Sequence, residues 1–319
     1  MLNTIPSASD IQAAHNRIRS YIHRTTTLTN SYINGLVDAD IHFKCENFQK
    51  VGAFKARGGI NTVLSLSTDE LGKGVATHSS GNHAQAIALA AKQAGCKAYI
   101  VMPSSAPAIK RMAVKDYGAE IIECEPNLKA RESTLQQVVE NTGATFVHPY
   151  NDYRVISGQA TAAKELIEDI DDFLDVIITP VGGGGLLSGT ALSAHYFSNK
   201  TKVYGGETEG ADGACRSYKK GELIPQLNPP NTIADGLLTS LGEKPFRIIQ
   251  KYVKDILIVN ESEIISAMRL VWERMKIIIE PSCAVPLAAV TRNKDQFEGQ
   301  RIGIILTGGN VDLGKLPFE

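Results

Sequence analysis

The chain has no charge excess, no cysteine pattern and no linker, and each absence removes a class of function. Its 319 residues set 33 Lys plus Arg against 34 Asp plus Glu, a formal net charge of −1. No global field therefore draws it to nucleic acid or to an anionic membrane. The five cysteines, Cys45, Cys96, Cys124, Cys215 and Cys283, are odd in number, scattered, and form no CxxC or metal-like cluster. A reduced, cytoplasmic setting is expected. Residues 1–10 lack the basic-then-apolar pattern of a signal peptide, so secretion has no support. No repeat or low-complexity tract interrupts the chain. One stretch, residues 176–199, has no Asp, Glu, Lys or Arg and is long enough to imitate a membrane span, but Pro180, Gly182 to Gly185 and Gly189 break it. It reads as a buried strand, a glycine loop and a buried helix.

What is present points to a large core. With 43% hydrophobic residues at this length, the chain can form two lobes around a cleft. Short apolar runs rich in β-branched residues lie at 98–102, 120–124, 176–179, 203–206, 256–259 and 302–307. Between them, 84–94, 104–117, 129–141 and 260–275 carry helical patterning, the last opening on a polar cap before Glu263, Ile264, Ile265 and Met268. Strand and helix in alternation predict parallel α/β layers.

Four segments carry chemistry. Val181-Gly182-Gly183-Gly184-Gly185-Leu186 follows a predicted strand and precedes a predicted helix, where bare N–H groups can cradle a phosphate. It is neither GxGxxG nor GxxxxGK[ST], which weighs against dinucleotide binding and Walker-type hydrolysis; a tight turn needing only glycine flexibility is the plainer reading. Gly52-Ala53-Phe54-Lys55-Ala56-Arg57-Gly58-Gly59 sets a lysine beside an aromatic ring ahead of a predicted helix. In an apolar pocket such a lysine loses its charge and attacks carbonyls; on a surface it is only a solvated charge. Thr77-His78-Ser79-Ser80-Gly81-Asn82-His83 runs from strand to loop before an apolar helix whose first amides could hold a carboxylate, unless Ser80 or Asn82 simply caps them. Leu306-Thr307-Gly308-Gly309-Asn310 ends a strand in a glycine turn and says little by itself.

Together the four segments resemble the fold-type II pyridoxal-phosphate enzymes, and within them the serine/threonine dehydratase and serine racemase branch, closest to serine racemase. The resemblance spans nearly the whole chain, from His15-Asn16-Arg17-Ile18 and Phe43-Lys44-Cys45-Glu46-Asn47-Phe48-Gln49-Lys50 through Asn231-Thr232-Ile233-Ala234-Asp235-Gly236 and Val271-Trp272-Glu273-Arg274-Met275-Lys276 to Thr307-Gly308-Gly309-Asn310-Val311-Asp312-Leu313. It implies an α/β fold of the tryptophan synthase β-like kind, two open parallel-type α/β domains with the cofactor between them. Residues 1–66 and 150–319 would form the large domain and 67–149 a small mobile domain. A homodimer is implied as well.

The resemblance also assigns roles. Lys55 would bond the cofactor's aldehyde with Phe54 beside the ring, and Gly182, Gly183, Gly184, Gly185 and Leu186 would hold the phosphate. Asn82 would meet the ring's 3-oxygen, Thr307 would set a hydroxyl against the pyridine nitrogen, and Gly236 and Glu280 would complete the cofactor site. Ser79, Ser80, Gly81, Asn82 and His83 would bind the substrate carboxylate. Lys55 would remove the Cα proton, loss of the β-hydroxyl would leave an aminoacrylate, and its release and hydrolysis would yield a 2-oxo acid and ammonia. Ser80 works from the opposite face, where reprotonation would racemise the substrate. For the divalent cation of the racemase branch, Mg²⁺ or Ca²⁺, Glu207 and Ala211 match, while Gly213 stands where a carboxylate is expected and Asp212 or water would have to substitute.

The implied activity is ammonia-lyase chemistry on L-serine or L-threonine, with serine racemisation as a possible partner reaction. Arg131, and Arg154 in a segment expected to line the cleft, would turn the preference to threo-3-hydroxyaspartate if either faces the pocket; otherwise they are surface ion pairs. β-Replacement of the cysteine synthase type, and a silent binding protein, are the remaining readings. His78, His83 and His148 are expected to make structural or substrate hydrogen bonds and not a metal cluster.

Overall fold

In a computed structural model of the chain, residues 3–106, 108–226 and 229–318 are described. The strands in chain order are β1 (Thr27–Leu28), β2 (Asp40–Lys44), β3 (Val75–His78), β4 (Ala98–Pro103), β5 (Glu120–Cys124), β6 (Thr145–Phe146), β7 (Val176–Pro180), β8 (Lys202–Thr208), β9 (Asp255–Val259) and β10 (Arg301–Ile305). They make a six-stranded sheet ordered β1-β2-β10-β7-β8-β9 and a four-stranded sheet ordered β5-β4-β3-β6. Every pairing is parallel except β1 with β2. The uncharged stretch resolves as expected, β7 being buried along its whole length and followed by the helix Gly185–Phe197. Helices cover both faces of each sheet, as unbroken apolar runs in central parallel strands require.

Local chemistry sets the helix limits. Asn260 accepts from the Glu263 N–H at 3.0 Å while the Asn260 N–H donates to the Glu263 carboxylate at 2.8 Å, a reciprocal cap that opens Glu261–Met275. The expected helix over 104–117 is described as Ala108–Asp116, and that over 129–141 as Leu128–Thr142. Among the described residues, no helix is long and apolar enough to cross a membrane.

The helix Lys55–Leu64 is fixed by two devices. It crosses the helix Tyr153–Glu168 where Gly58 meets Gly158; a Cβ on Gly158 would lie 2.6 Å from the Gly58 Cα and from the Arg57 carbonyl oxygen. Beside this crossing Arg57 is fully buried. It donates to both oxygens of Glu46 at 2.7 and 2.8 Å, both oxygens of Glu165 at 3.0 and 2.7 Å, and the Thr161 hydroxyl at 3.1 Å. Lys44 extends the cluster to Asp169 at 2.8 Å. Every guanidinium N–H has a partner, which is the condition for burying such a charge.

Candidate active site

The motifs fall at the C-terminal ends of the parallel strands, where open α/β sheets gather their ligand contacts. β7 leads into the glycine loop, β10 into Thr307, and β3 into Ser79. The Phe54 N–H donates to the Thr307 carbonyl at 3.0 Å and Ala53 bridges Gly308, so the lysine motif is pinned to the end of β10. Lys55 then reaches the Pro149 carbonyl at 3.1 Å, with its ammonium 5.1 Å from the Phe54 ring centre. Burial pulls the Lys55 pKa down to about 8, against the opposing attraction of Glu280. A lysine so placed holds roughly a tenth of its population as reactive amine at pH 7, far more than an ordinary lysine does.

Tyr150 joins this lysine to the glycine loop. A Cβ on Gly183 would fall 2.2 Å from its ring, and one on Gly185 would lie 3.0 Å from its Cβ. Gly184 takes φ +88°, left-handed backbone that glycine accommodates freely. Among the described residues, the N–H groups of Gly183, Gly184 and Gly185 have no acceptor. Buried amides left open at a helix N-terminus suit a phosphate. Gly236, whose N–H donates to the Ser282 hydroxyl at 2.9 Å, lies against Gly182.

A polar knot crosses from the end of β3 to the end of β10. The Asn82 side-chain amide donates to both oxygens of Glu280 at 3.1 Å and accepts from Asn310 at 2.8 Å, while the Asn310 N–H donates to Glu280 at 3.3 Å. Burial first, and Asp235 second, push the Glu280 pKa up to about 7. Asn310 was visible only as the last residue of a glycine turn, and Tyr150 carried no motif; their roles come from packing. Thr307 is buried beside the Cys283 thiol. At the start of the helix Asn82–Ala94 no side chain caps the amides, so the plain capped-helix reading does not hold. The Gly81 N–H donates to Ser79 at 3.3 Å, and Ser80 is half-buried and bonded to no described group.

The histidines pack as a spine. His78 stacks on Phe146 at 5.9 Å, Phe146 meets His148 at 5.5 Å, and His148 meets Tyr150 edge-on at 4.6 Å between ring centres. The His148 Nδ1 accepts the Asn151 N–H at 2.9 Å, and burial pulls its pKa down to about 4. His83 is held well below its ordinary value by burial and by Lys55; with its Nε2 3.1 Å from the Val147 carbonyl, its buried Nδ1 has no partner among the described residues. All three imidazoles are lowered, and no group of His, Cys, Asp or Glu among the described residues could hold a metal.

The two arginines part ways. Arg154 is bound by Asp152 at 2.7 Å and lines a separate polar cavity of about 240 Å³ with Arg17, Asn61 and Glu70, outside the expected cleft. Arg131 makes no ion pair among the described residues, its Nε is buried without a hydrogen-bond partner, and its charge lowers the His78 pKa. Glu207 is buried, with its two oxygens bound to the Ala214 and Cys215 amides at 2.9 and 2.7 Å. Ala211 is buried nearby, Gly213 offers no side-chain donor, and Asp212 is taken by Arg216 at 2.8 Å. These residues do not fit a hard cation, which calls for roughly six to eight oxygens including carboxylates.

Open glycine amides, a part-buried lysine with a lowered pKa and an uncapped helix start define an α/β enzyme built to hold a phosphorylated carbonyl cofactor. The chain belongs to the pyridoxal-phosphate dependent enzymes, a family that matches residues 18–308. It is 48% identical over 315 residues to the beta-hydroxyaspartate dehydratase of Paracoccus denitrificans, covering 99% of both chains. It is 49% identical over 310 residues to the serine racemase of Dictyostelium discoideum, covering 96% of this chain and 95% of that protein. The crystal structure of that racemase matches with a TM-score of 0.92 over 96% of this chain and 99% of that one. The L-threo-3-hydroxyaspartate ammonia-lyase of Saccharomyces cerevisiae is 44% identical over 310 residues, 97% of this chain and 94% of the yeast protein.

Proposed function

We propose that this chain is an ammonia-lyase acting on β-hydroxy-α-amino acids, L-serine and L-threonine among them, with racemisation as a second outcome at the same site. The observation that carries it is Lys55, part-buried against the Pro149 carbonyl and the Phe54 ring with a pKa of about 8, in a chain whose helix Asn82–Ala94 begins on amides that no side chain caps. Pyridoxal phosphate, when bound, supplies an electron sink that acidifies the Cα–H of an attached amino acid. Residues 183–186 would hold its phosphate, and Asn82, tied to Glu280, would address the ring. The substrate carboxylate lies on the amides and hydroxyls of residues 79–83. The Lys55 amine takes the Cα proton from one face. Ser80, with a hydroxyl bonded to no group among the described residues, returns a proton to the opposite face, whereas loss of the β-hydroxyl as water, without reprotonation at Cα, leaves an aminoacrylate that after release tautomerises to an imine and is hydrolysed by water to the 2-oxo acid and ammonia. Residues 67–149 form the lobe that closes over the substrate and excludes water.

Arg131 favours a particular member of the substrate class. A buried guanidinium nitrogen without a partner is costly unless a ligand supplies an acceptor, and threo-3-hydroxyaspartate brings a second carboxylate. Release of 2-oxo acid from L-serine, L-threonine and L-threo-3-hydroxyaspartate, compared by kcat/KM, tests both readings. We expect turnover of all three and a hydroxyaspartate preference that Arg131→Ala lowers by about 10- to 100-fold, the scale of a charge-assisted contact. A preference unchanged in that variant excludes Arg131, and silence on all three substrates overturns the proposal. Chiral analysis of the remaining serine reads racemisation in the same samples.

The setting follows from the surface. Tyr32, Leu36, Phe48 and Ile278 are each about half exposed, at 52, 47, 47 and 46%. They share one side of the molecule, where Asn30 donates to the Arg274 carbonyl and Asn47 to the Ile278 carbonyl, both at 3.1 Å. An exposed apolar patch of this kind supports a homodimer in which a second copy of the chain would cover it. Five cysteines, all free, support a cytoplasmic location.

A further inference from the structure

The turn between β8 and the helix Gly213–Lys220 is tied together by side chains from three segments. Glu207, 1% exposed, accepts two amides of the helix start, from Ala214 at 2.9 Å and Cys215 at 2.7 Å. Its carboxylate thereby satisfies orphan N–H groups that otherwise stay open. The Gly213 N–H donates to the Gln226 side-chain oxygen at 3.1 Å, and a Cβ on Gly213 would come within 2.9 Å of that same oxygen. The Gln226 side chain therefore stands where a side chain at position 213 would project. The chain around Gln226 is fastened to the same helix. The Ser217 hydroxyl accepts the Ile224 N–H at 2.9 Å and donates to the Gly213 carbonyl at 2.6 Å, and Arg216 donates to the Pro225 carbonyl at 3.2 Å. Further on, the Asn231 N–H donates to the Gly210 carbonyl at 2.9 Å, and Gly236 packs against Gly182 of the glycine loop.

We propose that this brace occupies the place of a divalent cation: Glu207, held by the helix amides, and Gln226, filling the space beside Gly213, fix the turn without metal, so the enzyme's stability and cofactor retention are independent of Mg²⁺ and Ca²⁺. The chemistry of the donor set supports it. A hard cation gains little from one carboxylate already bound to two amides, a neutral carboxamide and a glycine, with Asp212 committed to Arg216. Cation independence goes beyond the proposed reaction, and its test reads thermal stability and the cofactor's visible absorbance, so it stands or falls separately from substrate choice.

Holoenzyme is dialysed against EDTA and melted in the presence of EDTA, MgCl2 or CaCl2, with the visible band followed in parallel. The expected result is one Tm and one band intensity in all three conditions. A Tm lowered by EDTA and restored by either cation overturns the proposal. Gln226→Ala should lower Tm in every condition alike; an unchanged Tm means that Gln226 braces nothing. The double variant Gly213→Asp with Gln226→Ala restores a carboxylate and vacates the space, and should acquire a Tm that rises with CaCl2. A double variant as indifferent to CaCl2 as the parent would show that these two positions do not exclude the ion, and would also count against the proposal.

Discussion

Lys55 owes its reactivity to where it is held. Burial lowers its pKa to about 8 while Glu280 attracts the ammonium, so below that pH the reactive amine is the minor form. Its fraction rises about tenfold per pH unit up to the pKa and then levels. Reaction of cofactor-free protein with added pyridoxal phosphate should therefore accelerate with pH and reach a plateau above about 8. Stopped-flow absorbance reads this directly, and a rate flat from pH 6 to 9 would contradict it. Lys55→Ala should remove both the visible band and all turnover. The lysine motif was legible in the sequence because an aromatic neighbour and a following helix are local features. The fate of Arg154 was not: Asp152, two residues earlier at the cap of the helix Tyr153–Glu168, takes its charge, and that depends on which way the first helical turn faces.

At the scale of elements, strand ends deliver the groups and glycine lets them approach. The loop after β7 cannot accept a side chain at Gly183, where a Cβ would meet the Tyr150 ring at 2.2 Å. Gly183→Ala should displace either Tyr150 or the open amides, at a cost of about 1–3 kcal/mol in overpacking. The expected outcome is pyridoxal phosphate binding weakened about tenfold or more, by fluorescence titration, with Tm falling less than in a core variant. Unchanged affinity would mean that those amides do not hold the phosphate. The glycine run and the strand before it were evident in the sequence, as were the runs at 120–124 and 256–259, since β-branched apolar residues between polar breaks select extended chain. The strands β1, β2 and β6 were not: two residues carry no periodicity, so β1 and β6 exist only through their partners β2 and β3, and β2 is a short run in which Asp40, His42 and Lys44 alternate with Ile41 and Phe43.

For the whole molecule, the buried cluster of Arg57, Glu46, Glu165 and Lys44 is what unites β2, the lysine helix and the helix Tyr153–Glu168. Arg57→Met removes the partner of two buried carboxylates and should destabilise the protein by about 3–5 kcal/mol, the range for breaking a buried pair. Urea denaturation would measure this, and a loss below about 1 kcal/mol, the scale of a surface pair, would contradict it. The same scale separates what one chain can encode from what folding decides. Sequence alone determined the alternation of strand and helix, the phosphate-suited glycine loop, the lysine in its motif and the family, because each rests on residues near one another in the chain. Only the tertiary structure decided that Tyr150 covers the glycine loop, that Asn82 is tied to Glu280 and Asn310, that Arg131 rather than Arg154 lacks an ion partner among the described residues, and that Gln226 fills the space beside Gly213. Tyr150, the Asn82 knot and Gln226 act through contacts between segments far apart in sequence, and Arg154 through the facing of a helical turn. Such geometry is set by the packing of whole sheets and helices and leaves no local pattern to read.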